Sequence, residues 1–162
     1  MSALQQFARV WKQENATTRK VLHAIPADQG DYRPFPNVKT ARELSFIFTL
    51  GQGGIAAALA DQWQWPPNFP PVPPTLEEVQ SAFDASTQAV ENAIAIATDA
   101  RLDAKVMFFV GPKQPGELSV AQLCWFMLHD TIHHRGQLST YLRGMGAMVP
   151  SIYGPSADEP WM

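Results

Sequence analysis

The chain has 162 residues, 46% of them hydrophobic and 17% charged, with a formal net charge of −3. That length predicts one domain over residues 1–162, able to remove about two-thirds of its extended-chain surface from water. The apolar share excludes a disordered chain, and the longest apolar runs, Ile55–Ala60 and Leu123–Leu128, fall far short of the roughly 20 residues a membrane span needs.

The twelve basic residues are outnumbered by fifteen acidic ones and are scattered, the densest group being Arg19-Lys20. A nucleic-acid surface needs clustered Lys and Arg, so none is expected. Cys124 is the sole cysteine, which excludes a disulfide framework and a multi-cysteine zinc site. The opening residues MSALQQFARVWKQE carry no signal-peptide core, so the expected location is cytoplasmic.

The fourteen prolines fall at 26–36, 66–74, 112–115 and 150–160. A proline inside a helix loses a hydrogen bond and clashes with the preceding turn, so the proline-free windows between these groups are the candidate helices. Each opens with a Ser or Thr followed three residues later by Glu or Gln, the pattern of a capping box. The first, Ser2…Gln5, begins a helix over 2–25 with Leu4, Phe7, Val10, Trp11, Thr18, Val21, Leu22 and Ile25 at helical steps. The second, Thr40…Glu43, begins a helix over 40–62 striped with Leu44, Ile47, Phe48, Ile55 and Leu59.

The segment WQWPPNFPPVPP follows and is too proline-rich for a helix or a central strand. Gln62 to Pro74, extended at about 3.1 Å per residue, reaches roughly 40 Å, more than the roughly 33 Å of a 22-residue helix. It therefore predicts a crossover that lets the third helix run parallel to the second, in preference to a proline-motif ligand. Thr75…Glu78 opens that third helix, over 75–98, with Leu76, Val79, Phe83, Val90, Ile94 and Ala97 on one side. Residues 99–118 read as a long loop in which Val106–Val110 is a short strand or a buried extended piece. Ser119…Gln122 opens the fourth helix, over 119–145, ended by Gly144 or Gly146. The tail beyond it, with Ile152, Tyr153 and Trp161, is expected to fold back over the helices.

The polar residues of that last helix, LCWFMLHDTIHHRGQLSTYLR, hold the candidate chemistry. At 100° per residue the apolar face comprises Leu123, Met127, Leu138, Tyr141 and Met145, with His134 in its middle and Asp130 one turn earlier. His129 and His133, also one turn apart, flank it. Three explanations stand open. Asp130 and His134 pair with each other or with Arg135 as a structural network; they hold a divalent metal between helices; or the histidines serve a metal-free pocket as acid, base or polar contact. The only other histidine, His23, lies near a bundle end. Cys124 reads as a small buried hydrophobe, and Gly136, mid-helix, predicts a close approach by a neighbouring helix or a ligand.

HHRGQLSTYLR followed by VPSIYGPSADEPW, behind an opening helix that runs into AIPADQGDYRP and then TARELS, resembles the DinB (damage-inducible) superfamily across essentially the whole chain. The resemblance implies an all-α fold, an up-down-down-up four-helix bundle with a long crossover, often a homodimer. It also implies kinship with metal-dependent thiol transferases and isomerases that use mycothiol, bacillithiol or glutathione. Family members hold a divalent metal, such as zinc or nickel, with one histidine of the second helix and two residues of the last. Those positions are Ile47, Asp130 and His134 here, so two of the three usual histidines are replaced. Within this resemblance His129, His133, Arg135 and Tyr141 are the expected pocket residues. The functional readings are a metal-assisted thiol S-transferase or isomerase relative with a small-molecule thiol substrate, a non-catalytic stress-induced binding or scaffold protein, and a metal-free enzyme using histidine as general base.

Overall fold

A computed structural model describes residues 1–162. Its elements are α1 (Ala3–His23), α2 (Ala41–Leu59), α3 (Leu76–Ile96), α4 (Asp99–Asp103), β1 (Lys105–Gly111), β2 (Gln114–Ser119) and α5 (Val120–Gly144). The four long helices match the four proline-free windows, each end lying within three residues of the expected one. All four capping boxes form. Ser2, Thr40, Thr75 and Ser119 each accept the N–H three residues on, and Gln5, Glu43, Glu78 and Gln122 each accept the cap residue's own N–H. Every long helix thus begins with two otherwise unpaired donors satisfied. Helix α5 stops where Gly146 takes φ +72° and Ala147 N–H returns to Leu142 O at 2.9 Å, a left-handed turn that favours glycine.

The helices meet at defined heights. Phe7 packs edge-on against Trp125, and Glu14 of α1 meets Arg135 of α5. Asn15 and Arg19 of α1 reach Thr87 and Asp84 of α3. Gln52 of α2 bonds Ser86 and Thr87. A Cβ on Gly51 would lie 3.2 Å from Thr131 Oγ1, so glycine there admits α5 close to α2. Gly136, by contrast, has nothing within 4 Å of an added Cβ. The close approach expected at Gly136 is absent, because the backbone there faces away from every neighbouring helix.

Two hydrophobic clusters form the core. One gathers Phe7, Trp11, Ile55, Val90, Leu123, Cys124 and Leu128 with Val106 and Phe108 of β1. The other gathers Val21, Leu22, Phe48, Phe83, Leu138 and Leu142. Between them, at matching heights on all four long helices, sit the buried polar side chains Glu14, Thr18, Gln52, Ser86, Thr131 and Arg135. Within this layer Arg135 bonds Glu14 and Thr18 across to α1 and Gln52 Nε2 bonds Ser86 and Thr87 across to α3, while Thr131 bonds Met127 O of its own helix and Gln52 Oε1 has no partner.

The all-α expectation is corrected at residues 99–119. The stretch read as a loop contains the short helix α4 and an antiparallel hairpin, Lys105 opposite Ser119 and Phe108 opposite Gly116, with an irregularity between Phe109 and Gly111. The hairpin forms because Val106 and Phe108 alternate with exposed Lys105, Met107 and Phe109 and bury one face against the first core cluster. Residues 62–75 carry neither helix nor strand. Trp63 of that segment donates to Met107 O at 2.9 Å, and Trp65 packs edge-on against Phe108 and Phe109.

Candidate functional site

Helix α5 is buried on a broader face than its apolar residues suggest, because α1 and α2 both pack on it. Its buried residues include Cys124, Leu128, Thr131, Arg135, Leu138 and Leu142. The centre of the stripe therefore lies at Thr131 and Arg135, and His134 is displaced to its margin. This corrects the expectation of a fully inward ring. Its side chain keeps 21% of its exposure and that of Asp130 39%, so both are half-buried and open to solvent.

Asp130, His134, Gln137 and His133 come together as one polar chain along α5. Asp130 Oδ1 lies 3.5 Å from His134 Nε2. On the other side of that ring Nδ1 is 2.7 Å from Gln137 Oε1, and Gln137 Nε2 is 3.1 Å from His133 Nε2. The two imidazole rings stand 5.1 Å apart at 64°. The Gln137 amide thus bridges the two rings, and the Nε2 edge of His134 faces the Asp130 carboxylate.

The other expected pocket residues are elsewhere. His129 is exposed and rests against Trp125, ring centroids 5.9 Å apart. Tyr141 is buried, donates to Lys39 O at 3.1 Å and meets Tyr32 edge-on; burial pushes its phenol up from the ordinary value. His23 is exposed at the end of α1. Cys124 is sealed in the core, and burial pushes its thiol up to about 12, so it is no nucleophile.

Arg135 departs furthest from the expected pocket. It is 1% exposed and points to the α1 side of the helix. Its Nη1 donates to Glu14 O at 3.0 Å and Thr18 Oγ1 at 3.2 Å, and its Nη2 donates to Glu14 Oε2 and the Tyr153 hydroxyl, both at 2.7 Å. Tyr153 in turn donates to Glu14 Oε2 at 2.8 Å, its ring centroid 5.2 Å from the Arg135 guanidinium carbon. Burial and the bond to Glu14 push the Tyr153 phenol up. The residue is a structural staple. A charge at a core position signals it in the sequence: Glu14 falls in step with Phe7, Trp11, Thr18 and Val21, where a carboxylate needs a cation from another helix.

The donor set decides what α5 can hold. No three His, Cys, Asp or Glu side chains lie close enough together to bind one ion. Ile47, the second-helix position, is partly buried on the second core cluster and offers only carbon. A three-ligand divalent metal does not fit these residues, whereas a solvent-reaching imidazole flanked by a carboxylate suits proton transfer.

The comparisons with known proteins agree with this architecture. The profile of the DinB family matches residues 1–161. The uncharacterised protein YrdA of Bacillus subtilis (strain 168) is 26% identical over 157 residues, covering 96% of this chain and 91% of its own length. A DinB-like protein from Bacillus cereus superposes with a TM-score of 0.75 at 19% identity, over 92% of this chain and 97% of its own. Another, YjoA from Bacillus subtilis, gives 0.71 at 18% identity, over 97% and 99%. At these identities the two solved structures speak for the fold alone.

Proposed function

The chain belongs to the DinB family, and on that footing we propose a metal-independent relative of the thiol transferases and isomerases, with His134 as general base. The observation that carries this reading is the solvent-reaching His134 ring held between Gln137 Oε1, 2.7 Å from Nδ1, and the Asp130 carboxylate. In the tautomer that donates Nδ1–H to Gln137, Nε2 accepts a proton. Asp130, 3.5 Å from Nε2, stabilises the imidazolium that results. A small-molecule thiol gives its proton to Nε2, the sulfur bonds to an electrophilic carbon, and the leaving anion departs. The imidazolium then returns its proton to water. Base catalysis of this kind contributes about 10²- to 10⁴-fold. No step passes through zinc or nickel, because Ile47 supplies carbon at the third position.

The test is conjugation of glutathione to 1-chloro-2,4-dinitrobenzene by the intact protein, followed with and without a chelator. Activity indifferent to chelator and lost in His134→Ala is the expected result. Activity that survives the substitution, or that vanishes with chelator and returns with zinc or nickel, overturns the reading. Absence of conjugation with glutathione, bacillithiol and mycothiol alike would leave a binding or scaffold role in its place.

The remaining features of the reading are architectural. The pairs Arg42–Pro73, just before α3, and Gln52–Ser86, midway along it, advance in the same direction as α2 and support an up-down-down-up bundle with residues 62–75 as the crossover. Phe109, Val110 and Phe126 are each about half exposed on one side, which supports a homodimer joined through the hairpin. A cytoplasmic location suits a thiol-using protein. No helix is long and apolar enough to cross a membrane.

A further inference from the structure

A cavity of about 370 Å³ opens between α2 and the proline-rich segment that follows it. It includes neither Asp130 nor His134. Its apolar walls are Trp63, Phe69 and Met127. Gly53 leaves one side open, since a Cβ added there would meet nothing within 4 Å. Its volume falls in the range of small-molecule sites, about 300–1,000 Å³. No Asp, Glu, Lys, Arg or His contributes to the lining, so an ionised ligand would lose its hydration with no counter-charge in return.

Leu50 and Ala57 complete the apolar lining. We propose that this cavity is a binding site for a neutral aromatic small molecule, its ring system lying against Trp63, Phe69 and Met127. The site goes beyond the proton-transfer reading and does not depend on it.

The test uses two fluorescent probes with one skeleton, neutral N-phenyl-1-naphthylamine and anionic 1-anilinonaphthalene-8-sulfonate, titrated into the full chain. The neutral probe is expected to bind saturably, one per chain, at least about tenfold tighter than the sulfonate. Gly53→Leu fills the open side and raises helix propensity, so it is expected to fold and to weaken the neutral probe at least about tenfold by occupying its volume. Phe69→Ala, in the exposed segment, should weaken it in the same direction. Equal affinity for the two probes, or undiminished binding in Gly53→Leu, would overturn the proposal.

Discussion

Arg135 of α5 and Glu14 of α1 form an ion pair at 2.7 Å with 1% and 8% of their side-chain surfaces exposed. They lie 121 residues apart in sequence, between the two apolar clusters. The pair ties the first helix to the last and receives the tail through Tyr153. Adjacent on the same helix, His134 turns to the opposite margin and takes up the solvent-facing polar chain. One stretch, HHRG, thus divides its side chains between a staple inside the fold and a site at its surface.

Removing one partner of the staple leaves the other charge buried. Glu14→Leu or Arg135→Met alone should lower stability by about 3–5 kcal/mol. The double variant replaces two charges with apolar groups of similar volume and should recover most of that loss. Urea unfolding of the four proteins as a double-mutant cycle measures the coupling. Additive losses would contradict a buried, mutually dependent pair.

The Tyr153 hydroxyl bridges that pair, although the residue as a whole is 62% exposed. Tyr153→Phe should lower stability by about 1 kcal/mol, a charged hydrogen bond discounted for exposure. The phenol's value is pushed up, first by burial and then by its bond to Glu14. The neutral form is therefore the one the fold prefers. Its contribution is complete below the ordinary tyrosine value near 10 and declines as pH rises through the higher folded value. Thermal melts between neutral and strongly alkaline pH should show an alkaline loss that is smaller in Tyr153→Phe.

The tail is closed by a carboxylate. Asp158 accepts from Val149 N–H at 2.8 Å and pairs with Arg143 at 2.8 Å. The Val149 N–H first, and Arg143 after it, hold its carboxyl below the ordinary value. The sign is opposite to that of the tyrosine. The contribution is present above the unfolded value near 4 and is lost as pH falls through the lower folded one. Asp158→Asn should release the tail at neutral pH, read as faster proteolysis beyond residue 145 with the helical signal unchanged.

Cys124 provides a test of the core around the start of α5. Its thiol is fully buried and pushed up to about 12, so an alkylating reagent at pH 8 should leave it unmodified in the native protein and modify it fully in urea. Rapid native modification would contradict the packing of Cys124 among Leu123, Leu128 and Val120.

The helices were legible because their start signals are local. Ser2, Thr40, Thr75 and Ser119 each sit three residues before their partner, and proline groups bound the windows. The hairpin was half legible. Val106 and Phe108 alternate as a strand should, but β2 is QPGELS, where Pro115 and Gly116 resemble a loop and pairing comes only from β1. Counting only apolar residues centres the buried face of α5 near His134, one position short of Arg135, which that count leaves out. Its burial depends on Glu14 and Tyr153, and no spacing within α5 encodes those partners. Gln137 went unnoticed for the same kind of reason. Its role follows from standing three residues after one histidine and four after another, which matters only once both rings are seen to turn the same way.

The central claim is that His134 and Asp130 work without a resident divalent ion, and elemental analysis of tag-free protein, purified without chelator, tests it most directly. The account predicts less than about a tenth of an equivalent of zinc or nickel per chain, since a working metal site stays nearly full. Close to one equivalent, lost in both His134→Ala and Asp130→Ala, would contradict it.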